Sequence, residues 1–170
     1  MTRDDALQPL IERREEGRAK QDQAILSEVR GQLIALLAEY PDDAEILYQT
    51  GIAHDNSGLG SEAIPYYERA LELGLSGPDR ERCLMGLGST YRYWGHYERA
   101  VETLRKGMAE FPENRAIQVF LAMALYNSRQ YKESVQLLIT NLMDTTTDEK
   151  LQYFKRGISA YNEDLDETAE

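Results

Sequence analysis

The chain has one cysteine, one tryptophan, three phenylalanines and two histidines in 170 residues. Each scarcity excludes something. The lone thiol, Cys83, has no partner for an internal disulfide, so the fold rests on packing, and a single cysteine fits a reducing, cytoplasmic setting. The histidines, His54 and His96, show no His-x-x-x-His spacing, and no Cys-x-x-Cys pair stands beside them, so no set of three or four metal ligands is visible. Cations are also scarce, with 19 Lys and Arg against 30 Asp and Glu and a net charge of −11. Nucleic acids are bound largely through phosphate neutralisation, so this balance argues against DNA or RNA as partners. It argues equally against an anionic membrane surface. No apolar run approaches the roughly 18 residues needed to span a bilayer. The N-terminal stretch MTRDDALQPLIERREEGRAK lacks the apolar centre of a secretory signal.

What the chain does have is a repeat. Gly51, Gly88 and Ala122 fall in one column, with offsets of 37 and then 34 residues. Ala63, Ala100 and Ser134 share a second column, Tyr97 pairs with Tyr131, and Gly58 pairs with Gly95. The three extra residues of the first offset fit the connector GLSGPD, 74–79. A period near 34, with Leu-Gly, an aromatic, Ala, a second aromatic and Pro in order, marks stacked helix pairs. Leu87, Gly88, Tyr91, Gly95, Tyr97, Ala100 and Pro112 carry the pattern most fully. The small residues belong where two helices cross closely, and Tyr67, Tyr91 and Leu104 fill the space around the crossings. One unit cannot bury its apolar face alone, so neighbours must stack.

Periodicity predicts helices near 4–16 and 18–40, then pairs at 43–57 with 61–74, 78–94 with 97–110, and 114–128 with 131–142, and a last helix at 147–162. Asp42 with Glu45, and Thr146 with Glu149, have the spacing of capping boxes. The expected organisation is one domain over 1–170. It comprises N-terminal helices and a degenerate repeat at 4–42, repeats at 44–80, 81–114 and 115–146, a capping helix at 147–162 and an acidic tail at 163–170. The helix after ERREEG reads as about two turns too long for a regular unit.

Over residues 33–140, and most closely through IPYYERALELGLSG, LGSTYR, YERAVETLRKG and LAMALYN, the chain resembles the small, single-domain bacterial tetratricopeptide-repeat proteins of unassigned function. The resemblance implies an all-α fold, an α-solenoid of helix-turn-helix repeats. It also implies protein–protein contacts and a possible homodimer.

In that family the first helix of each pair lines the concave face. By register, this assigns the face to Tyr48, Ile52, Asp55 and Asn56, then Met85, Ser89, Arg92 and Tyr93, then Val119, Met123, Tyr126 and Asn127. Aromatics and methionines beside a few polar groups suit an amphipathic helix or an extended peptide, with Tyr48, Tyr93 and Tyr126 as anchors. Two other uses stay open. The last helix could cover the face through Leu151, Phe154, Ile158 and Tyr161. Copies could pair through Leu7, Leu10 and Ile11, or through Phe154 and Ile158. The clamp with which some family members grip a terminal carboxylate is not expected, because its places hold Tyr48, Ile52, Ser89, Ala116 and Phe120, which offer no charged donor.

Chemistry is not expected either. Gly86-Leu87-Gly88-Ser89-Thr90 lacks the lysine and the preceding strand of a phosphate loop, and Gly88 is accounted for by its column. His54 takes the aromatic column of Tyr91 and should pack, while His96 should sit solvated in a turn. His54 and Asp55 are adjacent in a helix and diverge by about 100°. The reading is a non-enzyme without cofactor or metal, taking a protein or peptide as partner.

Overall fold

A computed structural model describes residues 2–168. Among the described residues it contains nine helices and no strand. They are α1 (Arg3–Lys20), α2 (Gln23–Glu39), α3 (Ala44–Asn56), α4 (Gly60–Glu72), α5 (Gly77–Tyr93), α6 (Tyr97–Glu110), α7 (Arg115–Asn127), α8 (Tyr131–Thr145) and α9 (Glu149–Glu163). The chain divides into two compact units, Met1–Thr90 and Tyr91–Glu170.

Most helices begin by one of two means. The side chains of Thr2, Asp22, Asp43, Asn114 and Asp148 each accept hydrogen bonds from the first free amides of α1, α2, α3, α7 and α9. Such caps satisfy donors that the helix cannot satisfy itself. The helices α4, α6 and α8 have no side-chain cap. They follow a tight reversal instead. Gly58, Gly95 and Arg129 all take positive φ, at 75°, 81° and 62°. At each one the next residue's amide reaches back to close the preceding helix: Leu59 to His54, His96 to Tyr91, and Gln130 to Leu125, each at 2.8–2.9 Å. The third reversal thus forces an arginine into a conformation that favours glycine.

Two caps and one break differ from the sequence reading. Asp43 caps α3 in place of Asp42, and Asp148 caps α9 while the Thr146 hydroxyl accepts from the Asp148 amide. The break expected at Gly17 lies at Gln21 and Asp22, so α1 is longer and α2 shorter than predicted. Gly17 is buried inside α1, and a Cβ there would come within 2.8 Å of Ile25. It lies 34 residues before Gly51. It therefore plays the same part, since a Cβ on Gly51 would stand 2.7 Å from the Tyr67 ring.

In unit Met1–Thr90, Leu7, Val29, Leu33, Leu36, Ile46 and Ala53 form a closed core with Leu10 and Ile11 packed against it. Leu7 is consequently used internally, and Leu10 and Ile11 are partly covered, which leaves little of this face for the alternative in which copies pair through it. In unit Tyr91–Glu170, Tyr91, Leu104, Ile117, Leu121 and Leu125 are buried. Ser134, which stands where the repeat usually has alanine, donates its hydroxyl to the Ala122 carbonyl at 2.6 Å, so the worn column is still satisfied.

Candidate functional site

The first-helix residues fall into two groups, one in each unit. In the first, α1 closes over α3. Tyr48 is only 3% exposed, so it has almost no surface left to give a partner and is not the anchor expected. It and Ile52 line a cavity of about 440 Å³ with Gln49, Arg14, Arg18 and Arg82. Arg14 is buried, donates to Gln49 and pairs with Glu15 at 2.6 Å. This reach from α1 was not visible in the sequence. The 34-residue offset from Gly17 to Gly51 was the signal for it. Two polar groups of this face, Asp55 and Ser89, are already engaged, while the buried side-chain nitrogen of Asn56 has no partner among the described residues. Asp55 accepts from the Tyr67 hydroxyl at 2.7 Å and from the Thr90 hydroxyl at 3.2 Å. Burial raises the Asp55 carboxyl above its ordinary pKa, and it raises the Tyr67 phenol too. Ser89 donates to the Gly86 carbonyl at 2.9 Å. Asn56 and Met85 are half-buried.

In the second unit four expected residues converge. Arg92, Met123, Tyr126 and Asn127 line one largely apolar cavity of about 410 Å³. Met123 is 44% exposed and Tyr126 is 62% exposed. Arg92 donates to the Asn127 side-chain oxygen at 3.4 Å, and its buried Nε has no partner among the described residues. Ser134, Val135 and Leu138 of α8 complete the wall. Those second-helix residues were missed because the register argument counted first helices only. Tyr93 lies outside the cavity, exposed and edge-on to Trp94 at 6.0 Å. Val119 is half-buried and does not line it.

The alternative in which the last helix covers the face does not hold at this cavity, which no α9 residue lines. Helix α9 packs on α8 with Leu151 and Ile158 half-buried, while Phe154 and Tyr161 face solvent. His54 lies where its column puts it, and His96 lies in the turn. His54 is buried, with Nδ1 2.8 Å from the Thr50 carbonyl and its ring stacked on Tyr66 at 4.8 Å. His96 is exposed at the turn, edge-on to Tyr91. Among the described residues no group of three or more His, Cys, Asp or Glu is placed to hold a metal, and no helix is long and apolar enough to cross a membrane.

Stacked helix pairs, glycine columns at the crossings and an open face on the first helices define a helical-repeat scaffold. The chain belongs to the tetratricopeptide repeat family, whose model matches residues 44–165. Its fold class is all-α, an α-solenoid of such repeats. Repeats of this kind suit protein–protein contact. The chain is 37% identical over 70 residues to the photosystem I assembly protein Ycf3 of Synechococcus sp. (strain CC9605), covering 41% of this chain and 40% of that protein. It is 35% identical over 71 residues to Ycf3 of Prochlorococcus marinus (strain NATL2A), covering 42% and 41%. It thus spans about two-fifths of the length of these curated relatives. A solved structure, the MamA RS-1 ArsTM double mutant, shares the fold at a TM-score of 0.65 and 18% identity, over 94% of this chain and 98% of that one.

Proposed function

We propose that this protein is a non-enzymatic, cytoplasmic interaction module that holds a protein or peptide segment on its first-helix face. The observation that carries this is the convergence of Arg92, Met123, Tyr126 and Asn127 on one open, largely apolar cavity. Apolar anchors with one cation and one amide suit an amphipathic helix, whose exposed side chains lose water on docking. The stretch shared with the photosystem I assembly proteins supports a role in bringing other proteins together. Neither nucleic acid nor a membrane surface is among the partners we propose, given the net charge of −11. A second reading, a homodimer, is favoured by the exposed apolar side of α9.

The test is affinity capture with the full chain and a Met123→Ala/Tyr126→Ala double variant. Recovery of specific partners should fall by roughly tenfold or more with the variant, as loss of interface anchors implies. Equal recovery of the same partners by both would sink the groove as the binding surface.

A further inference from the structure

Unit Tyr91–Glu170 presents two apolar faces to solvent. One is the stripe Tyr131, Val135, Leu138 and Leu142 of α8, between 42% and 52% exposed, of which Val135 and Leu138 line the cavity described above. Leu138 stands in the column of Leu104, 34 residues earlier, and Leu104 is fully buried where α6 packs on α7. The same column is therefore covered in one pair and open in the next. After α8 the next helix is α9, and it does not take that seat. It lies on a neighbouring side of α8. There Gln136 donates to the Asn162 carbonyl at 2.7 Å, and Asn162 donates to the Gln136 carbonyl and the Thr140 hydroxyl at 3.0 Å. Lys132 pairs with Asp164 and with Asp166. These bonds turn inward the side of α9 that carries Asn162 and the half-buried Leu151, Lys155 and Ile158. Its other side carries Tyr153, Phe154 and Tyr161, at 82%, 61% and 75% exposed. Gly157 lies between them on the same helical face, and a Cβ there would meet nothing.

We infer that the groove between α7 and α8 is the seat for α9 of a second copy, exchanged reciprocally across a two-fold axis. This rests on the reading of the groove as a binding surface and names its partner. The chain's own α9 would have to break the bonds to Gln136, Thr140 and Lys132 before reaching the groove, whereas a second copy needs no such rearrangement. Helix and groove are carried by the same chain, so one two-fold operation covers both faces in both copies. The area suffices. Tyr126, Tyr131, Tyr153, Phe154 and Tyr161 alone would remove on the order of 1,300 Å² from water over two copies, at roughly 200 Å² for a whole aromatic side chain. A specific interface needs about 1,000 Å². Each copy carries a charge of −11, so added salt should tighten this dimer by screening repulsion.

Sedimentation of the full chain across a micromolar dilution series tests the pairing. A dimer is expected that tightens with salt and weakens by roughly 30-fold or more in Phe154→Glu and in Leu138→Glu, as loss of interface anchors implies. Neither residue is buried. Unchanged helix content by circular dichroism therefore separates lost pairing from lost folding. Mixed Leu138→Cys and Phe154→Cys chains should oxidise to a disulfide-linked heterodimer, while Cys83 stays silent because burial pushes its thiol up to about 12. A monomer throughout, or a dimer indifferent to both substitutions, overturns the exchange. So does a double-cysteine chain that closes on itself as a monomer, which would assign the seat to the chain's own α9. A peptide of residues 148–165, added to the Phe154→Glu chain, distinguishes the two readings. Peptide binding to that variant, where the unsubstituted chain is a monomer throughout, overturns the exchange and keeps the groove as a binding surface, whereas neither peptide binding nor a dimer of the unsubstituted chain overturns both.

Discussion

The same columns of the repeat are closed in one unit and open in the other. Ile52 and Asp55 on α3 correspond to Met123 and Tyr126 on α7. The first pair is half-buried beside α1, and Asp55 is engaged by Tyr67 and Thr90. The second pair stands exposed. The second-helix column behaves alike, with Tyr67 at 2% exposed and Leu138 at 42%. A column in a repeat array therefore fixes which way a side chain points, while the neighbouring helix decides whether that side chain is core or surface. Where a neighbour is present the residues act as structure. Where none takes the seat, the same register leaves exposed the surface proposed for binding.

The widest gap is expected within one column of unit Tyr91–Glu170. Leu104→Ala should cost about 2–5 kcal/mol, because it opens a cavity in closed packing. Leu138→Ala should cost about 0.5 kcal/mol or less, as an exposed site does. Urea unfolding of both variants, at dilutions where the chain is monomeric, measures the contrast, and equal losses there would mean that the α8 stripe is covered within one chain. Next comes a pair of glycines. Gly51→Ala pushes a methyl against the Tyr67 ring, which the Asp55 bond holds in place, and should cost about 1–3 kcal/mol. Gly157→Ala meets open space on α9 and should stabilise by about 0.5–1 kcal/mol through helix propensity. Thermal melts of the two should shift in opposite directions.

The reversals give a third test. Arg129→Gly should gain roughly 1 kcal/mol by relieving the left-handed conformation that Gly58 and Gly95 adopt freely. A Tm that fails to rise would show that the arginine is held there by compensating contacts. The smallest effect concerns pH and belongs to the closed unit. The Asp55 carboxyl is raised in the folded chain, so folding favours its protonated form. Its stabilising contribution is complete below the unfolded carboxylate pKa and is lost as pH rises through the raised folded value. Asp55→Asn should remove that dependence. The stability of the variant relative to the wild type should therefore improve between pH 4 and pH 7, as read by denaturant midpoints at each pH.

Much of the fold was legible because glycine and alanine columns have one physical meaning at a helix crossing. Gly51 and Ala63, and the Gly58 and Gly95 reversals, needed no coordinates. The break between α1 and α2 was misread for the converse reason. Gly17 looked like a helix end and is a close contact with Ile25, a distinction that depends on which helix lies across from it. Of the binding face, Arg92, Met123, Tyr126 and Asn127 followed from register. Tyr48 did not, because register carries no information about α1 lying over it. Val135 and Leu138 were unavailable to the same reasoning, since their column is buried wherever another unit follows.

The sequence by itself determined that helices pair, where they reverse and which residues share a face, because close packing and positive φ select particular residue types locally. Only the tertiary structure decided which of those faces are spent. That choice turns on where α1 and α9 dock, and docking depends on distant side chains meeting, such as Arg14 with Gln49 and Gln136 with Asn162. It closes the face at Tyr48 and leaves the one at Tyr126 open.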